Sequence, residues 1–243
     1  MILKSFGCSY IFGSELADDG KNGPYANGSK LSWPALVAYH YNYQYYTYSR
    51  PGSGNQQILE RLMSQIAGTT HHDTICIIGW SHVERFDYCS NLPLKPGDWP
   101  GAPWRTITPG DNTEMANIYY RDIQTDLQDK FRNLLYIKQA IDILKSKSIP
   151  FVMTYMSERL FDIKLDTKWP DRCNTTPAIT EMQEYIKPYM TTFDGLNFVE
   201  WSKENKFTFS KVGHPLEQAH QAASEYIIKL FDTQSIGAHC HLS

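Results

Sequence analysis

Four short stretches of this sequence set glycine beside side chains able to do chemistry. They are Gly7-Cys8-Ser9, Gly52-Ser53-Gly54-Asn55, Gly79-Trp80-Ser81-His82 and Gly213-His214-Pro215. A serine hydroxyl is a poor nucleophile until a neighbouring base takes its proton. Ser9 and His214 are the pair on which that chemistry falls. His214 lies between a glycine and a helix-starting proline, so its ring should project from a loop. Ser9 opens whatever follows Gly7, where backbone N–H groups without helical partners can hold a developing oxyanion. Gly54 offers an N–H with no side chain in the way, and Ser81 a hydroxyl donor. A nucleophile, a base and two or three donors make an acyl-transfer site. Cys8, Asn55, Trp80 and His82 flank these groups and are the expected substrate contacts. Cys8 has two further readings, a thiol nucleophile in place of Ser9 or a small residue filling a tight turn, and the turn-filling one is preferred.

These residues need elements to bring them together, and the apolar pattern supplies them. Met1 to Phe6 reads as a buried strand, and residues 14–32 as a loop rich in Gly, Asn and Asp. A helix from Trp33-Pro34 to about Tyr41 precedes a strand over Tyr45 to Tyr48. In the helix from Asn55 to Ala67, Ile58, Leu59, Leu62, Met63 and Ile66 share one face. Thr74 to Ile78 is a third strand ending at Gly79. Residues 87–118 are rich in Pro and Gly and read as a long irregular insertion. A helix from Tyr120 to Ser146 follows, with Phe131, Leu134, Ile137, Ile141 and Leu144 as its buried stripe. Pro150 to Tyr155 is the fourth strand, a helix lies near 178–187, Leu196 to Val199 is a short fifth strand, and the last helix spans Pro215 to Phe231. Alternating strands and helices predict a single three-layer α/β/α domain over 1–243, with a mainly parallel five-stranded sheet. In such a sheet, sites form at the carboxyl ends of the strands, where all four stretches would meet.

With the order of elements in view, the pattern resembles the SGNH, or GDSL-type, hydrolase family, whose fold is flavodoxin-like. Phe6-Gly7-Cys8-Ser9 stands where the family has Phe-Gly-Asp-Ser, which puts the nucleophile at Ser9. Arg50-Pro51-Gly52-Ser53-Gly54-Asn55 stands at the glycine turn that lines the oxyanion hole, with Gly54 the first choice of donor and Gly52 the second. Gly79-Trp80-Ser81-His82 replaces Gly-x-Asn-Asp, so serine stands for the oxyanion asparagine. Lys211-Val212-Gly213-His214-Pro215 replaces Asp-x-x-His-Pro and keeps the histidine and proline but not the acid. Similar chains with Phe-Gly-Cys-Ser starts and Gly-His-Pro ends are associated with bacteria and bacteriophages. The resemblance implies a serine ester hydrolase acting on a small-molecule or carbohydrate ester, with no metal and no cofactor. The missing acid leaves the His214 ring to a substitute acid, for which Asp194 and Glu200 are the nearest candidates, or to a backbone carbonyl, and a Ser-His dyad is workable but slower. It also motivates the alternative, a catalytically inactive binding or structural protein on the same fold, phage-associated.

Composition narrows the classes. The 243 residues carry a formal net charge of −3, which gives no electrostatic reason to expect nucleic acid or an anionic membrane as a partner. Five cysteines with no CxxC spacing speak against a disulfide framework. The opening residues have no secretory pattern, so the expected location is the cytoplasm, with carriage on a virion as the second. His71-His72-Asp73 and His239-Cys240-His241 have metal-ligand residue types but no partner cluster at zinc spacing, and no metal is assigned. His82 is read as either a substrate contact or a partly buried hydrogen-bonded ring, and His220 as structural. Glu84 and Arg85 are read as a local ion pair, with an anion-gripping Arg85 as the second reading. Trp99 and Trp104 are expected to pack the insertion down.

Overall fold

The structure, a computed structural model, describes residues 1–19, 28–67, 73–90, 104–162 and 176–234. In chain order the elements are β1 (Ile2–Phe6), α1 (Ser9–Phe12), α2 (Trp33–His40), β2 (Gln44–Thr47), α3 (Asn55–Ile66), β3 (Thr74–Trp80), β4 (Phe86–Cys89), β5 (Trp104–Ile107), α4 (Glu114–Ile118), α5 (Asp126–Ser146), β6 (Phe151–Tyr155), α6 (Pro177–Ile186), α7 (Phe198–Glu204) and α8 (Glu217–Gln234). Four strands form one parallel sheet in the order β2-β1-β3-β6.

Side chains on a strand alternate between the two faces, and each face here has its own core. Phe6, Cys76, Ile78 and Met153 pack with Ile58 and Leu62 of α3, Leu134 and Ile141 of α5, and Ile179 of α6. Leu3, Ile75, Ile77 and Val152 pack with Trp33 and Val37 of α2, Phe198 of α7, and Ala219 and Ile227 of α8. Two such faces with no exposed side make the three-layer α/β arrangement expected for a parallel sheet. All of β3 is buried.

Three expectations need correction. Among the described residues the sheet has four strands, not five. Over Leu196 to Val199, Asp194 and Gly195 take φ of 51° and 85°, and Asn197 then caps α7 by accepting from the Val199 and Glu200 N–H groups. A tight turn and a helix start leave no extended run there. The fifth position beside β6 holds a single parallel bridge, Met153 to Met190, with the Thr191 N–H on the Met153 carbonyl at 2.7 Å. Of 87–118, residues 91–103 lie outside the described residues, and the flanks hold regular structure: β4 and β5 pair as an antiparallel ribbon, Phe86 opposite Ile107, with a turn and α4 after them. The helix placed over 120–146 is interrupted. A π-turn over Tyr119–Ile123 ends in an extended Gln124, and Thr125 caps α5 by accepting from the Gln128 N–H at 3.2 Å. Within α5, Phe131 points outward, 42% exposed, while Leu134, Ile137, Ile141 and Leu144 are buried as expected. Trp104 is half-buried in β5; Trp99 and the histidine pairs at 71–72 and 239–241 lie outside the described residues.

His220 ties the end of the chain to its beginning. Its ring Nδ1 accepts the Trp33 N–H at 3.1 Å, serving an N–H at the start of α2 from within α8. Burial, helped by the nearby His214 charge, pushes its pKa down to about 3, against a hydrogen bond with Pro215. The unfolded chain therefore binds a proton that the folded ring refuses, between the ordinary histidine value near 6.5 and about 3. Stability from this site is fully present above that window. It is lost as pH falls through it, by about 1.4 kcal/mol per pH unit. Denaturant midpoints measured from pH 7 to pH 4.5 should show that slope. His220→Gln, which keeps an acceptor for Trp33 but does not titrate, should flatten it.

Candidate active site

The stretch after β1 makes one helical turn and then reverses. Cys8 is the N-cap of α1, and its carbonyl accepts from Ile11 and Phe12 at 3.2 and 3.0 Å. Gly13 closes the turn in the left-handed region, φ 79°, with its N–H on the Ser9 carbonyl at 2.9 Å. Ser9 is thus the first helical residue, and its hydroxyl is free of hydrogen bonds among the described residues. It caps nothing. The helix can sit so close to the sheet because Gly7 and Gly79 lack side chains: a Cβ on either would lie 2.5 or 2.3 Å from Ile11 Cγ1.

Beyond Gly13 the chain turns again at Glu15, a non-glycine residue with φ 67°. A left-handed conformation is uncommon for such a residue and points to a local requirement. Neighbours hold it: the Glu15 N–H donates to Asp19 Oδ2 and the Ala17 N–H to Glu217 Oε1 at the start of α8, both at 2.7 Å. The side chain so aimed meets His214. His214 Nδ1 lies 2.5 Å from Glu15 Oε2, and the Ser210 hydroxyl donates to the same oxygen at 2.5 Å.

His214 sits in a closed turn ahead of α8. Its carbonyl accepts from the Ser210 N–H at 2.9 Å, its own N–H donates to Ser210 Oγ at 3.1 Å, and Gly213 is left-handed at φ 91°. Hydrogen bonds from Ser210 first, and from His214 second, hold the Glu15 carboxyl below the usual carboxylate range, against a smaller opposing effect of burial. A carboxylate at Nδ1 keeps the proton on that nitrogen and leaves Nε2 with its lone pair. The Tyr10 ring, next in sequence to Ser9, meets the His214 ring edge-on at 5.2 Å and the His82 ring at 6.4 Å. Ends of the chain some two hundred positions apart therefore converge on one edge of the sheet.

The carboxylate in contact with the His214 ring is Glu15, and position 211 holds a lysine. This corrects the two substitutes drawn from sequence proximity. Asp194 accepts from Trp201 Nε1 at 2.9 Å, and Glu200 pairs with Lys203 at 2.8 Å. Lys211 is exposed.

Other expected site residues have different work. The Gly54 N–H donates to Asp87 Oδ1 at 3.0 Å, so it is committed to the fold and not offered to an oxyanion. Asp87 comes from β4 and also accepts from the Gln57 N–H and side chain and from the Thr106 hydroxyl. Gly52 has φ 80° with nothing within 4 Å of where a Cβ would stand. Asn55 is not a substrate contact either. It is 1% exposed, accepts the Ser81 N–H at 2.6 Å and donates to the Ser81 carbonyl and to Asn133 Oδ1. Trp80 is fully buried, because β3 continues through Gly79 rather than ending there. Cys8 is fully buried in the core beneath α1.

Ser81 and His82 remain at the rim. The Ser81 hydroxyl accepts from Arg85 Nη1 at 2.9 Å, and the same nitrogen donates to the Ser53 carbonyl at 3.0 Å. Glu84 faces His82 at 3.8 Å instead of forming the expected pair with Arg85. Burial, and then the Arg85 charge, push the His82 pKa down against the pull of Glu84. Sequence reading missed Glu15, Ser210 and the placement of Arg85. The signal for Glu15 was its position, six residues past Ser9 and two past the turn glycine.

Among the described residues, no three His, Cys, Asp or Glu side chains gather as a metal site would require, and no helix is long and apolar enough to cross a membrane. No protein-family model matches the sequence, and none of the curated proteins does. Solved structures do. A member of the lipolytic protein G-D-S-L family from Veillonella parvula superposes with a TM-score of 0.50 at 11% identity, over 96% of this chain and 98% of the other. The psychrotrophic esterase EstA from Pseudoalteromonas sp. gives 0.48 at 10% identity, over 96% and 97%. The acetyl xylan esterase Est2A from the rumen bacterium Butyrivibrio proteoclasticus gives 0.48 at 13% identity, over 96% of this chain and 64% of the other. At such identities the likeness is one of fold, and the chain shares the α/β fold of the Veillonella G-D-S-L protein.

Proposed function

We propose that the protein is a serine ester hydrolase with Ser9 as nucleophile, His214 as general base and then general acid, and Glu15 as the carboxylate that orients His214. The observation that carries this reading is the 2.5 Å contact between His214 Nδ1 and Glu15 Oε2. The left-handed turn at Glu15 aims its carboxylate at the His214 ring and the Ser210 hydroxyl together. A carboxylate on Nδ1 sets the tautomer a general base needs and stabilises the imidazolium that forms.

The reaction balances as follows. Ser9 Oγ bonds to the ester carbonyl carbon, its proton passes to His214 Nε2, and the carbonyl π pair moves onto oxygen. That pair returns as the bond to the alcohol oxygen breaks, and His214 hands its proton to the departing alcohol. Water then attacks the acyl-Ser9, gives a proton to His214, and releases the acid as Ser9 recovers that proton. The Ser9 N–H and the Ser81 hydroxyl are the donors facing the oxyanion. The Ser9 hydroxyl has no hydrogen bond among the described residues, and on this reading it meets His214 Nε2 when substrate binds, catalytic hydrogen bonds often forming fully only in the complex. The esterase names of the fold neighbours point to small acyl esters, carbohydrate esters among them, as the substrate class. A cytoplasmic or virion-borne site of action is part of the same proposal.

One observation favours the second reading, a binding module on this fold: the Gly54 N–H is committed to Asp87. Turnover of a short-chain chromogenic ester separates the two. The esterase reading expects hydrolysis that Ser9→Ala abolishes, and equal background rates in both proteins would support the binding module.

A further inference from the structure

The site lacks an asparagine donor after β3 and has lost the Gly54 N–H to Asp87, so what polarises the substrate carbonyl needs an answer. Ser81 is the group left at that position, and its surroundings are specific. It is 2% exposed. Its N–H and carbonyl are both engaged by the Asn55 side chain, which fixes the backbone on either side of the hydroxyl. The hydroxyl oxygen accepts from Arg85 Nη1 at 2.9 Å. That occupies a lone pair with a charged donor, and the hydroxyl's own proton has no acceptor among the described residues. A hydroxyl whose oxygen accepts from a cation is a stronger donor through its hydrogen. Ser81 follows the strand whose Gly79 lies under Ile11 of α1, and its neighbour His82 meets the ring of Tyr10, next to Ser9.

We infer that Ser81 and Arg85 together replace the missing oxyanion donor. Arg85 fixes and polarises the Ser81 hydroxyl, and the Ser81 O–H donates to the oxygen that becomes negative when Ser9 attacks. Arg85 is on this account a positioning residue, acting through Ser81 and not on the substrate itself. The inference rests on the ester-hydrolase reading.

Its competitor is a purely structural Arg85, which would only staple the 50–54 turn to the segment after β3 through the Ser53 carbonyl. A double-mutant cycle tells them apart. Kinetics on a short-chain chromogenic ester would be measured for the wild type, Ser81→Ala, Arg85→Lys, Arg85→Met and Ser81→Ala/Arg85→Met. Binding of a small alkylboronic acid, whose adduct on Ser9 is a tetrahedral anion, would be measured alongside. Ser81→Ala removes one oxyanion donor and should lower kcat about 10²-fold with little change in KM. Arg85→Met should lower kcat at least about 10-fold in the wild-type background and leave it unchanged in the Ser81→Ala background. Arg85→Lys, which keeps a cation, should fall between. Boronate affinity should drop by the same factors as kcat/KM. Equal losses from Arg85→Met in both backgrounds, or a Ser81→Ala enzyme as fast as the wild type, would overturn the inference while leaving a Ser9-dependent esterase standing. Wild-type turnover no higher than that of Ser9→Ala would overturn the esterase reading and this inference with it.

Discussion

Glu15→Gln should lower kcat/KM for a short-chain ester by about 10³–10⁴-fold while the protein still folds. The size follows from what a carboxylate does for a triad imidazole. It holds the ring in the productive tautomer and compensates the positive charge as the ring takes the Ser9 proton, and an amide does neither. The glutamine fits the same space, so the His214–Ser210 turn survives and the loss is one of chemistry. Glu15→Asp keeps the charge but shortens the reach by one methylene. It should lose less, about 10²-fold, as a misplaced catalytic group does. Because Ser210 and His214 hold the Glu15 carboxyl below the usual carboxylate range, it stays ionised well into acid. Its support for the ring is intact above that depressed value and is lost as pH falls through it. Initial rates of the two variants and the wild type, with circular dichroism as the folding control, check this.

Gly7→Ala and Gly79→Ala should each destabilise the protein by about 3 kcal/mol and cut kcat about 10²-fold, although neither residue touches substrate. The cause is the closeness of α1 to the sheet. A Cβ on Gly79 would stand 2.3 Å from Ile11 Cγ1 and 2.5 Å from Ile11 Cδ1. Ile11 is fully buried in the core, so α1 is expected to lift and carry Ser9 with it. The two glycines part company in their rescue. Ile11→Ala removes both atoms that Gly79→Ala would meet, so that double mutant should recover most of the rate. A Cβ on Gly7 also meets Ile11 Cβ at 2.7 Å, which Ile11→Ala keeps, so that pair should stay slow. Denaturant midpoints and kcat for the four variants decide it.

The sheet and most helices were legible because their signals are local. An apolar run such as Ile2 to Phe6, or the face of α3, announces itself within a few residues. Ser9 and His214 stood out because glycine turns at strand and helix ends mark the rim of a parallel sheet. The errors arose where distant chain segments decide. Gly54 reads as a free donor until Asp87 arrives from β4, in a stretch whose prolines and glycines suggest no strand. Gly79 reads as the end of a strand, yet it lies inside β3 against Ile11, and the strand runs one residue further to Trp80, which is core and not cleft. Leu196 to Val199 has strand-like residues, but Asp194, Gly195 and Asn197 are turn and cap formers that take precedence. Glu15 was invisible because the habit of seeking the acid beside the histidine looks along the chain. The left-handed turn at Glu15 delivers it across space.

The most direct test is covalent. A fluorophosphonate phosphonylates an activated serine, its phosphorus bonding to Oγ as fluoride leaves, so peptide mass spectrometry after brief exposure reports both the nucleophile and its base. The account predicts a single adduct on Ser9, absent in Ser9→Ala and formed far more slowly in His214→Ala and Glu15→Gln. A protein that stays unmodified, or a Ser9 adduct whose rate ignores His214, would contradict it.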